Sequence, residues 1–158
     1  MPNPKSTVGV VVLFAVIAVI MAVVSVKMSP LDKNTAAFTV EEPYLRSSLP
    51  TSKSAAAFLV LRNQTGTNDR LIAVRSGLSG RVEMHSHSED ANGVMRMGEI
   101  EGGVPLADGD SHAFKRGGDH FMFMGLDAPL SQGQLVPVTL VFEQAGEIEI
   151  IVPVDLTR

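Results

Sequence analysis

The sequence predicts an all-β protein, an antiparallel sandwich of short strands, preceded by one transmembrane helix at the N-terminus. Three observations lead there. After residue 28 the apolar residues come in short runs, cut repeatedly by Gly, Asn and Asp. Short strands joined by tight turns give that spacing in a sandwich. The last run alternates cleanly, with Glu147, Glu149 and Ile151 on one side and Ile148, Ile150 and Val152 on the other. A period of two marks a half-buried strand. Beyond the N-terminal segment no stretch keeps a helical period for long.

The first element is Val8–Val26, 19 residues without a charge, in which every residue but Gly9 and Ser25 is Val, Leu, Ile, Phe, Met or Ala. At about 1.5 Å per residue such a helix nearly crosses a hydrocarbon core of about 30 Å. The run ends in Val23-Val24-Ser25-Val26-Lys27, which lacks the small-x-small pattern of a cleaved signal. Residues 1–27 are therefore expected to stay as a membrane anchor rather than be removed, with 28–37 as a polar linker and 38–158 as the sandwich domain. Lys5 on one side and Lys27 and Lys33 on the other leave the charge rule for orientation near a tie. An N-terminal apolar segment normally exports the domain attached behind it, which places the sandwich outside.

Ten strands are expected in the rest of the chain. They are Phe38–Val40, Ala55–Arg62, Arg70–Arg75, Arg81–His85, Val94–Met97, Val104–Leu106, Ser111–Phe114, His120–Met124, Val136–Phe142 and Glu147–Val152. Turn signals separate them, among them Gly77 to Gly80, Asn92-Gly93, Asp108-Gly109 and Gly117-Gly118. With no Trp and one Tyr, the core must rest on Val, Leu, Ile and Phe.

Composition excludes several functions. There is no Cys, so disulfide scaffolds, thiol redox enzymes and thiolate metal sites are out. A net charge of -4 gives no basic face for nucleic acid. Met and His, by contrast, are concentrated. All four His (His85, His87, His112, His120) fall within 36 residues, with Met84, Met95, Met97, Met122 and Met124 in or beside that span.

Strand alternation turns this cluster into a pattern. In His120-Phe121-Met122-Phe123-Met124 the His and both Met share one face, and the two Phe take the other. Met95 and Met97 share a face, as do His85 and His87 if their strand runs on that far. A core strand would place Met beside Phe, not opposite it. Thioether sulfur is soft and neutral, and it suits copper(I) rather than magnesium, calcium or zinc. Blue-copper electron transfer needs a Cys ligand and is excluded.

The stretches Gly93-Val94-Met95-Arg96-Met97, Gly117-Gly118-Asp119-His120 and Met122-Phe123-Met124-Gly125-Leu126 resemble the periplasmic copper chaperones known as PCuAC. The likeness extends through Ala55–Leu61, Asp69-Arg70-Leu71, Gly80 to His85 and Val136 to Val154. It implies a cupredoxin-like β-sandwich with copper(I) held by His85, Met97, His120 and Met122. It also implies copper delivery to an extracytoplasmic acceptor, such as a subunit of cytochrome c oxidase. The gaps from His85 to Met97 and from Met97 to His120 are each one residue longer than the family pattern. That leaves the first ligand open between His85 and His87, and the second between Met97 and Met95.

The expectation is a monomeric, membrane-anchored copper(I) metallochaperone on the periplasmic side of a bacterial inner membrane, with no nucleic-acid partner. The alternative is an anchored interaction or assembly module without metal. An enzyme ranks last, because no carboxylate or Ser/His pair organises chemistry around the cluster. His112 is expected on the surface, Glu89-Asp90 in a solvated loop, and Asn63-Gln64-Thr65 as a chance match to a glycosylation acceptor.

Overall fold

The structure is a computed structural model that describes residues 38–49, 51–89 and 93–158. The expected anchor at 1–27, including Val8–Val26, and the linker at 28–37 lie outside the described residues. Among the described residues there is no helix.

Ten strands succeed one another along the chain: β1 (Phe38–Arg46), β2 (Ser54–Asn63), β3 (Asp69–Arg75), β4 (Ser79–Glu89), β5 (Met95–Glu99), β6 (Val104–Leu106), β7 (Ser111–Phe114), β8 (His120–Leu126), β9 (Leu135–Phe142) and β10 (Gly146–Pro153). They form two sheets. The larger has the order β1-β2-β8-β4-β5, with β7 also on β2, and the smaller the order β10-β9-β3-β6. All strand pairs are antiparallel, and one isolated parallel bridge joins Leu45 to Val154.

The sheets pack through a core of Leu, Val and Phe in which every strand but β5 has a buried side chain. Phe38 of β1 stacks on Phe142 of β9 across it, with ring centroids 4.0 Å apart. Phe121 and Phe123 are fully buried. Alternation in β10 is as the sequence predicts, with Ile148 and Val152 buried and Glu147, Glu149 and Ile151 exposed. Isoleucine contributes little to the core, since Ile148 is its one buried member among the described residues.

Two strands are longer than local pattern suggests. β1 runs on through Pro43 to Arg46 across a register shift between Glu41 and Tyr44, where Glu42 takes a positive φ of 49°. A bulge at an edge strand accommodates the proline, which has no N–H to give to a ladder. β4 continues past His85 to Glu89, held by β5. That extension matters most, because it keeps His87 in strand geometry.

β2 also explains where β8 begins. Its Ala55, Ala56 and Ala57 pair with β8, while Leu59 to Arg62 pair with β7. The two strands therefore lie end to end along one edge of β2. The turn between them is tied by the Gly118 N–H to the Lys115 carbonyl (3.0 Å) and the Lys115 N–H to the Asp119 carbonyl (2.8 Å). His120 is the first residue after this turn.

Candidate metal centre

The register of three adjacent strands assembles the candidate residues on the outer face of the larger sheet. Directly paired residues share a face, and every second residue along a strand shares it too. On β4 this face carries Glu83, His85 and His87. On β8 it carries His120, which pairs with His85, and Met122, which pairs with Glu83. On β5 it carries Met97, which pairs with His87, and Glu99, which pairs with His85. The opposite face presents Met84, Phe121 and Phe123 to the core. One strand pattern thus builds core and site together.

Of the residues singled out by sequence, His85 and His120 stand directly across the β4–β8 ladder. Met122 is one alternation step along from His120. Met97 sits across from His87 rather than His85, and Met95 is a further step away, across from Glu89. The ring of His120 lies 5.9 Å from that of His85, edge to face, and 5.0 Å from that of His87. For metal–nitrogen bonds of about 2.0 Å, two imidazoles on one ion have centroids about 5 Å apart at a tetrahedral angle and about 6.4 Å apart when opposed. Both separations fall in that interval.

Hydrogen bonding fixes which nitrogens carry protons. His120 donates from Nδ1 to the Gly118 carbonyl (3.0 Å), which leaves Nε2 as a lone-pair donor. His85 donates from Nε2 to Glu83 Oε2 (2.8 Å), which leaves Nδ1. That Nδ1 is buried and has no hydrogen-bond partner, and so is Nδ1 of His87. A buried polar atom left without a partner costs about 1–3 kcal/mol. Two on one small face call for an explanation, and a metal ion would supply it. A carboxylate behind an imidazole fixes its tautomer and orients the ring. Glu83 stands in that relation to His85, and Arg81 pairs with the same carboxylate.

Among the described residues no three His, Cys, Asp or Glu side chains converge closely enough to hold an ion alone. Of the described side chains on this face, the methionine sulfurs of Met97 and Met122 are the further donors available to an ion held by two imidazoles. Met97 is 54% exposed, Met122 is half-buried, and His120, although on the outer face, is only 4% exposed. Phe58, whose ring centroid is 6.2 Å away, and the neighbouring imidazoles cover it. Phe58 is itself covered by Tyr44, 5.0 Å away.

Burial is the main influence that holds the His120 imidazole below its usual pKa; the Gly118 hydrogen bond opposes the shift, and His87 and His85 add to it. Its neutral, ligating form is favoured accordingly. The Glu83 carboxyl is held below its usual range, first by the His85 hydrogen bond and then by Arg81, against the opposing effect of burial. Glu83 is the site residue that sequence reasoning missed. The alternation Glu83-x-His85-x-His87 was the available signal.

One expectation needs correction. His112 is not a free surface residue: it is half-buried on β7, donates from Nε2 to Asp119 Oδ2 (2.8 Å), and packs on Phe114 at 4.7 Å. Asp119 and Phe114 both flank the β7–β8 turn, so His112 helps to lock the turn that positions His120. Asn63 is fully buried, and its side-chain amide donates to the carbonyls of Thr67 and Leu106. It holds a turn, and its nitrogen is not accessible to a glycan, in keeping with a chance match to the acceptor tripeptide.

A family model described as "Putative lipoprotein LpqE-like" matches residues 38–154. A curated relative, "Putative lipoprotein Lxx21020" of Leifsonia xyli subsp. xyli (strain CTCB07), is 31% identical over 103 residues, 65% of this chain and 61% of the relative. The chain thus spans less than two thirds of that relative's length. The fold is similar to the apo PCuAC domain of PmoF1, with a TM-score of 0.64 and 27% identity over 76% of this chain and 94% of that one. It is also similar to the copper-bound PCuAC domain of PmoF2, with a TM-score of 0.62 and 26% identity over 76% and 93%. Apo-DR1885 of Deinococcus radiodurans shares the fold at a TM-score of 0.58 and 21% identity over 77% and 80%.

Proposed function

The chain belongs to the LpqE-like family, and on that premise we propose that it is a copper(I) metallochaperone. In this reading a single ion is the cargo, held by His85, Met97, His120 and Met122 in a cupredoxin-like sandwich. One observation carries it: the β4–β8 register sets His85 against His120, with Met122 and Met97 on the same face. The orphaned nitrogen of His85 and the unprotonated Nε2 of His120 are the lone pairs such an ion needs. The similarity to a PCuAC domain described as copper-bound supports the choice of metal.

The donor set also suits release. All four ligands are neutral, so no thiolate charge locks the ion in place. Met97 is open to solvent, and beside Met122 lies a recess of about 160 Å³ lined by Phe58, Arg46 and Arg116 among others. An acceptor's ligands can approach before all of the chaperone's ligands have left. The acceptor we propose is an extracytoplasmic copper protein, a cytochrome c oxidase subunit being the example the PCuAC resemblance implies.

The family and its curated relative are named for lipoproteins. This sequence has no cysteine, so it offers no thiol for a thioether-linked lipid. The attachment we propose is the apolar segment Val8–Val26, holding the domain on the outer side of the membrane.

The test is copper(I) titration of the reduced full-length chain against a competing chelator, with metal analysis of the product. One ion per chain is the expected result. No binding would leave the metal-free interaction module as the better reading.

A further inference from the structure

We propose that His87 is also a copper(I) ligand, and that it creates a second seat overlapping the first. The proposal rests on the copper-binding reading above and extends it. The first seat uses His85 and Met122, the second uses His87, and His120 and Met97 are common to both.

Four observations place His87 there. β4 runs on to Glu89, so His87 stays in register and faces outward with His85. Its partner across the β4–β5 ladder is Met97, which the four-ligand set already includes. Its ring is nearer to His120 than that of His85, 5.0 Å against 5.9 Å. Its Nδ1 is buried without a hydrogen-bond partner, as is that of His85.

The absence of any converging trio of His, Cys, Asp or Glu among the described residues argues against one three-imidazole site. Two imidazole pairs that share His120 satisfy the same geometry. Each seat is then completed by thioether sulfur, which suits copper(I). Both fixed lone pairs, Nδ1 of His85 and Nε2 of His120, are used in the first seat, and the second exchanges only the former for His87.

Two overlapping seats give the ion a path. It can leave His85 for His87 while still held by His120, one nitrogen replacing another, and it stays copper(I) throughout. The step moves it towards β5, an edge strand of the larger sheet whose five residues are all exposed. Transfer to an acceptor would then start from the His87–Met97 side.

The experiment is a competitive copper(I) titration of the full-length chain as wild type, His85→Gln, His87→Gln and the double variant, each checked by a thermal melt. If the seats substitute for one another, each single change weakens binding by less than about tenfold and the double change by more than about a hundredfold. If either single change already causes the whole loss of the double, there is one seat and the proposal fails. It fails equally if the double variant binds like the wild type. Where a variant does not fold, the imidazole ¹⁵N resonances of the wild type decide: a ligand shift at His87 on adding copper(I) is expected, and an unmoved His87 overturns the proposal. A wild type that binds no copper defeats the metallochaperone reading itself, a separate result.

Discussion

Met84 and Met97 show how one residue type serves two ends. Met84 points into the core and is 6% exposed, whereas Met97 stands on the outer face at 54%. Burial decides what each contributes. Met84→Ala is expected to cost about 2–5 kcal/mol, the usual range for a buried methionine. Met97→Ala is expected to stay within about 0.5 kcal/mol, as surface changes do. Denaturant melts of the two metal-free variants check this, and a loss at Met97 as large as at Met84 would make it a packing residue. His120 makes a second prediction. Its folded pKa is lowered, chiefly by burial, from an unfolded value near 6.5. Below about pH 6.5 the unfolded chain therefore binds the proton first, so this contribution to stability is present above that pH and is lost as pH falls through the folded value. The metal-free protein should melt at lower temperature as pH drops from about 7 towards 5, and His120→Asn should flatten part of that slope. A variant with the wild-type slope would count against a neutral, buried His120.

At the scale of the element, the strand-by-strand reading succeeded where alternation was local. His120-Phe121-Met122-Phe123-Met124 declares both of its faces in five residues, and the structure buries both Phe fully. β10 is equally explicit. What local pattern does not carry is register. That Met97 faces His87 rather than His85 depends on how the β4–β5 hairpin closes, and the sequence spacing left both open. The run of β4 to Glu89 is likewise decided by its neighbour, since Ser86, Ser88 and Glu89 have no strand preference of their own. His112 escapes local pattern for a related reason: its partner Asp119 is brought up by the next strand's turn. Gly103 offers a test of element geometry. It precedes β6 with φ at +78°, and a Cβ there would collide with the Leu71 carbonyl oxygen. Gly103→Ala must therefore move β6 off β3, and a loss of about 1–3 kcal/mol or more is expected. Gly109→Ala carries a similar φ of +81° but open space, and should cost less. Thermal melts that rank the two the other way would contradict this reading of the β3–β6 contact.

At the scale of the whole molecule, the account joins a membrane segment, a sandwich and a face of soft donors. The segment is a sequence inference, and its prediction is direct. The mature protein should keep Val8–Val26, so intact-mass measurement should return the chain uncleaved, and a mature N-terminus near Lys27 would refute the anchor. The sandwich was legible because its core and its turns are written locally. The face that gathers His and Met was legible in part, since the concentration of Met and His and the resemblance to PCuAC singled out candidates that share that face, but not their pairing. The central claim is that β8 brings copper(I) ligands to that face, and His120 and Met122 are the residues on which it stands. Competitive copper(I) titration of His120→Ala and Met122→Ala in the full-length chain tests it most directly. The account predicts one ion bound by the wild type and a loss of at least about a hundredfold in affinity for His120→Ala, with a smaller but clear loss for Met122→Ala. Wild-type affinity in both variants would contradict it.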